Sequence, residues 1–217
     1  MHSNENVNLY LKPTHFIDSS HPNIIDFVNN IELSNKNSRE KAILLFNIVR
    51  DQIIYDPFTF NLKPDYLKAS NIVKQKKSFC IPKAILLAAV ARASDIPARL
   101  GFANLKNYRM GKELKELLQT NLLAWHGYVE LFLNDKWIKA TPAYNKDLSE
   151  HTNTPSVEFD GKTHAIFPEK DNDGNRHMEY LTYHGTFPDL PLEKIKESMI
   201  NYYPMLKEHD ELKRKYF

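Results

Sequence analysis

The chain has 217 residues, of which 42% are hydrophobic and 26% are charged; this is the composition of a soluble globular protein and excludes large-scale disorder. The 29 basic and 27 acidic residues give a formal net charge of +2 and are scattered along the chain, which disfavours nucleic acid as a partner. A single cysteine excludes an intramolecular disulfide, and neither a secretion signal nor an apolar run of ~20 residues is present, so the sequence predicts a cytoplasmic protein without a membrane span.

The first part of the chain predicts two amphipathic helices followed by a loop. Apolar residues recur three and four positions apart over residues 21–33 and 37–54. Asn37 and Glu40 have the spacing of a capping box, in which each side chain accepts the backbone N–H of the other, so they mark the start of the second helix. Residues 55–67 contain prolines among aromatic and polar side chains, which is typical of an extended loop.

A helix that is apolar on almost every face follows this loop. Residues 82–94 are mostly Ala, Leu, Ile and Val, and only Lys83 and Arg92 interrupt them with charge. Such a helix must be buried inside the domain. Pro82 is tolerated in the first helical turn because its missing N–H would have had no partner there. Cys80 therefore lies at the N-terminus of a buried helix.

The second half of the chain predicts an antiparallel sheet. Residues 98–105 and 126–145 alternate apolar and polar side chains and are rich in β-branched and aromatic types. Asn134 and Asp135 are turn-forming residues that divide the second segment into two strands. The sequence therefore predicts a β-hairpin with a two-residue turn.

The hairpin register and the C-terminal part complete the predicted fold. A two-residue turn places Glu130 opposite Lys139, and we expect these side chains to form an ion pair. A further hairpin is expected within residues 157–188, and a last helix begins near residue 189. The predicted architecture is a single α+β domain over residues 1–217.

Cys80 is the candidate nucleophile. A thiol at a helix N-terminus lies near the positive end of the helix dipole, and Lys76 and Lys77 lie just upstream, so these features favour the thiolate. The N–H groups of the same helical turn could hold an oxyanion. A lone cysteine is more often a small buried hydrophobic residue, and the local sequence leaves both interpretations open.

A thiol nucleophile needs a base and a group that orients the base. His126, which opens the hairpin, is the candidate base. Extending the register of the two-residue turn makes Thr141 and Asn145 the diagonal neighbours of His126 on the same face. Either side chain could orient the imidazole, and the flanking Trp125 and Tyr128 could shield the site from water.

The order of these residues resembles the transglutaminase-like superfamily, whose members share a papain-like core. That family places a cysteine at the start of a buried helix followed by Arg-Ala-x-x-Ile-Pro-Ala-Arg, found here at residues 92–99. A strand of the form His-Ala-Trp-x-Glu corresponds to residues 126–130, and a second strand, Trp-x-x-x-Asp-Pro-Thr, corresponds to residues 137–143. The resemblance spans roughly residues 38–145, and the flanks resemble bacterial members described as cysteine proteases.

The resemblance implies both a fold and a set of catalytic residues. The implied fold has a buried central helix that begins at the cysteine and packs on an antiparallel sheet, with Cys80 as the nucleophile and His126 as the base. The orienting aspartate of the family falls on Thr141, which can accept a hydrogen bond from the imidazole but carries no charge. The third role is therefore open among Thr141, Asn145 and Asp147.

The chemistry implied by these residues is acyl transfer through a thioester. The favoured activity is that of a peptidase or amidase acting on a peptide, protein or small amide. The alternatives are a true transglutaminase or deamidase, and a non-catalytic peptide-binding module that keeps the cleft. Phe79, Trp125 and Tyr128 are the expected lining of the substrate cleft, and the sequence does not determine the oligomeric state.

No cofactor or metal is expected. Cys80 and His126 are not part of a CxxC or HxxxH pattern, which disfavours a zinc site. Residues 169–175 resemble the beginning of an EF-hand loop, but Tyr180 stands where the last calcium ligand would be. The better interpretation of that loop is a tight turn.

Overall fold

The computed structural model describes residues 6–208 and 210–217. Helices dominate the first part of the chain and a sheet follows them, as the hydrophobic pattern predicts. The α-helices are α1 (Pro22–Asn29), α2 (Ser38–Gln52), α3 (Ala69–Ile72), α4 (Cys80–Ala93), α5 (Lys112–Leu118), α6 (Lys146–His151), α7 (Leu192–Tyr202), α8 (Pro204–Glu208) and α9 (Asp210–Tyr216). The strands are β1 (Ile54–Tyr55), β2 (Lys77–Ser78), β3 (Ala98–Asn107), β4 (Leu122–Leu133), β5 (Lys136–Ala140) and β6 (Met178–Phe187).

Helix α2 begins at the predicted capping box. Asn37 Oδ1 accepts the backbone N–H of Glu40 at 3.0 Å, and Glu40 Oε2 accepts the N–H of Asn37 at 2.9 Å. These reciprocal bonds satisfy donors that the first turn of a helix leaves free. The loop predicted over residues 55–67 contains two short 3-10 turns, and strand β1 at its start pairs in parallel with β2, directly before Cys80.

Helix α4 is the centre of the fold. All of its residues from Ile81 to Arg92 are buried. It contacts β3 and β4 of the larger sheet and also α1, α2 and α3. A helix enclosed by other elements has no solvent face, so it needs apolar residues all round, as the sequence predicts. This arrangement confirms the α+β class, and no helix in the described part of the chain is long and apolar enough to cross a membrane.

Strands β4 and β5 form the predicted hairpin in the predicted register. Glu130 lies opposite Lys139, and the turn residues Asn134 and Asp135 have φ angles of 50° and 62°. Positive φ at both central positions is the signature of a type I′ turn, whose twist matches that of the two strands.

The β4–β5 ladder ends at Ala140, so the extended register that would pair the chain with His126 is not formed. The N–H of Thr141 donates instead to the carbonyl of Ala165 at 2.8 Å, and Pro142 has no N–H to continue a ladder. The register that made Thr141 and Asn145 the diagonal neighbours of His126 is therefore wrong, because it assumed that strand pairing continues beyond Ala140.

The predicted C-terminal hairpin is wrong, because residues 157–188 contribute one long strand. That strand, β6, pairs antiparallel with β3, and the sheet order is β5-β4-β3-β6. Strands β3 and β6 are far apart in the sequence, so no local sequence pattern could indicate that they pair. Asp171 accepts the N–H groups of Asp173 and Asn175, which makes the loop a tight turn as predicted. The described residues contain no cluster of three His, Cys, Asp or Glu side chains that could hold a metal.

The charged side chains of α4 are buried and donate hydrogen bonds to backbone carbonyls of neighbouring segments. The Lys83 ammonium donates to the carbonyls of Arg50 and Ile53 at the end of α2, and burial lowers the pKa of Lys83 to about 7. Arg92 donates from Nε and Nη2 to the carbonyl of Ala98, at 3.0 and 2.8 Å. Both charges sit where unpaired carbonyl oxygens would otherwise be buried.

Glu130 pairs with Arg99 on β3 rather than with Lys139. The Arg99 guanidinium lies 2.8 Å from the Glu130 carboxylate and also 4.1 Å from the ring centre of Trp137. The Lys139 ammonium lies over the ring of Tyr183, 4.1 Å from its centre. The predicted hairpin ion pair is wrong because β3, on the other side of β4, places a guanidinium within reach of the same carboxylate.

Candidate active site

Cys80 is the first residue of α4, and its thiol faces the first turn of that helix and strand β4. Phe79, before it, has an extended backbone and offers no side-chain cap to the helix. The backbone N–H groups of Gly127, of Ile81 and of Cys80 itself lie near the Sγ atom and act to lower the pKa of the thiol. The thiol therefore occupies the position where a helix N-terminus presents its free donors.

Gly127 permits this contact because it has no side chain. A Cβ atom at this position would lie 3.1 Å from the Cα atom of Ile81 and 3.5 Å from the Cβ atom of Ala84. A contact of 3.1 Å with a backbone atom is tighter than packed side chains tolerate without movement. Strand β4 thus approaches α4 closely at the residue that follows His126.

His126 follows a bulge in β4. The pairing of β4 with β3 shifts between Ala103 and Leu105, and Trp125 has a φ of 54°; a bulge of this kind changes the direction of the side chains around it. The His126 ring is buried and lies 5.3 Å from the ring centre of Phe167. Its Nε2 atom has no hydrogen-bond partner among the described residues.

The thiol and the imidazole are both neutral at pH 7. Burial raises the pKa of Cys80 to about 11, and the three backbone N–H groups lower it by less. Burial lowers the pKa of His126 to about 3. Both shifts disfavour the expected thiolate, because the loss of hydration outweighs the attraction of the helix terminus. Of the upstream lysines, Lys77 pairs with Asp56 at 3.7 Å.

Alkylation of Cys80 by iodoacetamide should therefore be slow at neutral pH. With a pKa of about 11 for this thiol, the thiolate fraction at pH 7 is ~10⁻⁴, some two orders of magnitude below that of a cysteine with a pKa near 8.5. The rate should rise about tenfold per pH unit between pH 7 and 10 when followed by intact-protein mass spectrometry, with glutathione as the reference thiol. A rate that is already constant between pH 6 and 8 would contradict this prediction, because it would indicate a thiolate held by imidazolium.

Cys80 lines a pocket with apolar and aromatic walls. The pocket encloses about 690 Å³, its open mouth included. Its lining residues are Tyr55, Pro57, Phe58, Phe60, Phe79, Cys80, Ile81, Leu114, Leu117, Leu118, Leu123, Ala124, Met199, Tyr203, Met205 and Tyr216. They come from the loop after β1, the start of α4, helix α5, the start of β4 and the C-terminal helices. The candidate nucleophile therefore faces a space that can exclude water from an apolar substrate group.

Of the expected cleft residues, Phe79 lines this pocket and the other two do not. Trp125 stacks on the ring of His184, with 4.2 Å between ring centres and 3° between planes. The Tyr128 ring is buried over Gly101, where an added Cβ would lie 2.2 Å from a ring carbon. These two aromatic side chains therefore pack against residues of the sheet instead of lining the pocket.

Four buried tyrosines lie near enough to Cys80 to interact with it electrostatically, and sequence reasoning missed all of them. Burial raises the pKa of each phenol, and the neighbouring Cys80 adds to the increase; the residues are Tyr55, Tyr144, Tyr180 and Tyr203. The hydroxyl of Tyr203 accepts the N–H of Ala124 at 2.8 Å, which ties the C-terminal part of the chain to β4. These tyrosines come from separate segments, so no spacing in the sequence could group them.

A family model for the transglutaminase-like superfamily matches residues 25–142, more than half of the chain. The chain belongs to the transglutaminase-like superfamily. Its fold is similar to the crystal structure of a "Putative Cysteine Protease" from Cytophaga hutchinsonii, with a TM-score of 0.50 and 13% sequence identity; the match covers 85% of this chain and 55% of that one. This chain thus spans about half the length of that protein, and at this identity the likeness supports the fold alone. A comparison with curated proteins found no match.

The superfamily pattern has an aspartate where this chain has Thr141. Thr141 is fully buried, and its Oγ1 atom has no hydrogen bond of standard geometry among the described residues. The phenol of Tyr180 lies close to it: burial raises the pKa of Tyr180, while a hydrogen bond from the N–H of Phe167 and the proximity of the Thr141 hydroxyl act in the opposite direction.

The other two residues considered for the third role lie in different surroundings. Asn145 is buried, and its Oδ1 atom accepts the backbone N–H of Tyr55 at 3.3 Å. This bond ties the end of β1, where Tyr55 lines the pocket, to the start of α6. Asp147 is exposed on α6, where water screens its charge. Thr141 is the one of the three whose buried oxygen is left without a standard partner in the described part of the chain.

Proposed function

We propose that the protein is a cysteine-dependent hydrolase of amide bonds, acting as a peptidase or amidase through a thioester intermediate. The observation that carries this proposal is the position of the Cys80 thiol. It lies at the start of the buried helix α4, near the backbone N–H of the residue that follows His126, and lines an apolar pocket. Membership of the transglutaminase-like superfamily supports a cysteine nucleophile.

The neutral resting pair determines how the nucleophile forms. Because burial disfavours both charged groups, the thiol proton moves to His126 as the sulfur attacks the amide carbonyl, rather than before substrate binds. The N–H groups of Cys80 and Ile81, which face the sulfur at rest, are the nearest donors for the oxyanion that develops. Pro82 contributes no N–H to this turn.

The remaining steps conserve atoms and charge. Collapse of the tetrahedral intermediate breaks the C–N bond, and the imidazolium of His126 gives its proton to the departing amine. Water then attacks the thioester carbonyl while His126 takes a proton from it. Breakage of the C–S bond releases a carboxylic acid, and the proton returns to the Cys80 sulfur.

In this mechanism Thr141 is the third member of the site. Its buried hydroxyl oxygen lacks a standard hydrogen bond, as does the Nε2 atom of His126, and an N–H···O bond between them would satisfy both buried groups. Threonine carries no charge, so it orients the imidazole without stabilising imidazolium as strongly as an aspartate would. We therefore expect a smaller rate enhancement than in a site that contains an aspartate.

Two observations support a second candidate, a non-catalytic peptide-binding module that keeps the pocket. The Cys80 thiol is protonated at neutral pH, and Thr141 stands where the superfamily pattern has an acid. A protein of this kind would bind amides or peptides in the apolar pocket without breaking a bond. Transfer of the acyl group to an amine, as in a transglutaminase, shares the thioester and differs only in the acceptor.

The acyl-enzyme provides the test. The protein is mixed with a set of 4-nitrophenyl esters and matching 4-nitroanilides, quenched in acid and weighed by mass spectrometry. We expect a mass increase equal to the acyl group on Cys80 with the esters, slow release of 4-nitroaniline from the anilides, and neither with Cys80→Ala. Added methylamine separates amide formation from hydrolysis.

Each contrary result has a definite meaning. Turnover that persists in Cys80→Ala would refute the proposed nucleophile. Saturable binding of the anilides, with neither an adduct nor turnover in the wild-type protein, would instead support the binding module. His126→Gln serves as a matched control, because its amide cannot accept the thiol proton.

A further inference from the structure

The pocket that Cys80 lines differs from the groove beside it. Among the described residues that line the Cys80 pocket, none carries a charge. The adjoining groove shares Tyr55, Pro57, Phe58 and Leu114 with the pocket. It also contains charged residues of both signs, Arg109, Lys112 and Glu113. The two spaces therefore form one cleft with an apolar part at the thiol and a polar part further away.

The thioester chemistry assigns the two parts of the cleft to the two halves of the substrate. In a thioester the acyl carbon is bonded to Sγ, so the acyl group must occupy space next to Cys80. Cys80 lines the apolar pocket and does not line the groove. The departing amine has no bond to the sulfur, and the polar groove is open to it.

On the basis of the proposed function, we infer that the protein acts on substrates with a large apolar acyl group, either aromatic or branched aliphatic, and with a polar leaving amine. A charged acyl group would lose its hydration among apolar walls that offer no ion partner. A pocket of this kind discriminates strongly against charge and only weakly between apolar groups of similar size.

Part of the pocket wall comes from a segment that follows the superfamily match. Met205 and Tyr216 belong to the C-terminal helices, whereas the match ends at residue 142. Tyr216 is held in place by its carbonyl, which accepts the N–H of Leu62 at 2.6 Å, and by its ring, which lies 5.5 Å from that of Phe60. The apolar pocket is therefore built by the matched region together with the C-terminal helices that follow it.

Alkylating reagents test this inference without requiring turnover. Three reagents are compared. Iodoacetamide places no ring next to the sulfur, N-benzyl iodoacetamide places an apolar ring there, and N-(4-carboxybenzyl) iodoacetamide places a charged ring there. Second-order rates at pH 9 are measured by mass spectrometry and divided by the rates of glutathione. We expect the benzyl reagent to exceed iodoacetamide about tenfold on Cys80 and the carboxybenzyl reagent to show no such gain.

Two leucine variants locate the effect. Leu117 lines the pocket and is 39% exposed, whereas Leu181 on β6 is 48% exposed and does not line it. Leu117→Glu should abolish most of the benzyl preference, and Leu181→Glu should retain it. Both changes are at exposed positions that tolerate charge, and a thermal melt checks folding.

A benzyl preference equal to that of glutathione, or one that survives Leu117→Glu unchanged, would overturn the inference. Neither result would affect the proposed hydrolase, because alkylation needs only the thiol. Conversely, a protein that forms no acyl-enzyme but shows the benzyl preference would retain the apolar pocket and lose the proposed activity.

Discussion

Replacement of Cys80 by alanine should lower the rate of amide hydrolysis by about 10³-fold or more, because no other group can form the thioester. His126→Ala should lower it by ~10²–10⁴-fold through loss of the base. The rate is measured as kcat/KM on the anilide that the wild-type protein cleaves fastest. The double variant should be no slower than the slower single variant, since the two residues act as one unit.

A matched pair of substitutions tests which residue orients His126. Thr141→Val keeps the shape of the side chain and removes its hydroxyl, and we expect kcat to fall about tenfold with KM unchanged. Asn145→Ala removes the bond to the Tyr55 N–H at the pocket wall, so we expect KM to rise while kcat changes less. Equal effects of both variants on KM alone would argue that neither residue orients His126. Retained activity in His126→Ala would refute the assigned base.

Replacement of Arg92 by methionine should lower the free energy of unfolding by ~3–5 kcal/mol. Arg92 is 3% exposed. In addition to Ala98, its guanidinium donates to the carbonyls of Lys12 and Pro188, both at 2.6 Å. Methionine fills much of the space but leaves these oxygens without their donors. The N-terminal segment and the end of β6 would lose their link to α4.

Urea unfolding at pH 7 measures this effect. A domain of this size is stable by about 5–15 kcal/mol, so the loss should move the midpoint strongly. Arg176→Met is the matched control. Arg176 is 65% exposed and pairs with Glu179 at 2.8 Å, and its loss should change stability by less than about 0.5 kcal/mol. Similar midpoints for the two variants would contradict the structural role of Arg92.

Residues that carry the superfamily resemblance therefore have two different roles here. Arg92 and the Arg99–Glu130 pair hold segments together through buried charge-assisted bonds. Cys80 and His126 lie at the contact between α4 and β4 and are the proposed catalytic pair. A motif match does not distinguish these roles, because a buried ion pair and a catalytic pair constrain sequence in the same way.

Much of the local structure follows from the sequence because its causes are local. The capping box at Asn37, the all-round apolar helix α4 and the Asn134–Asp135 turn each depend on residues within a few positions of one another. The same holds for the position of Cys80 at a helix start. These features needed no knowledge of the rest of the fold.

The sequence by itself determined the class of the fold, the candidate nucleophile and the resemblance of the chain to a family. Each of these depends on hydrophobic periodicity, turn residues or the order of motifs, which are all properties of the sequence. Only the tertiary structure decided the partner of Glu130, the place of β6, the tyrosines around Cys80 and the apolar pocket. It also decided the direction in which the pKa of the thiol shifts. The helix terminus favours the thiolate through groups that are local in sequence. The segments that cover the sulfur come from elsewhere in the chain and remove its hydration, and this burial raises the pKa of Cys80 to about 11.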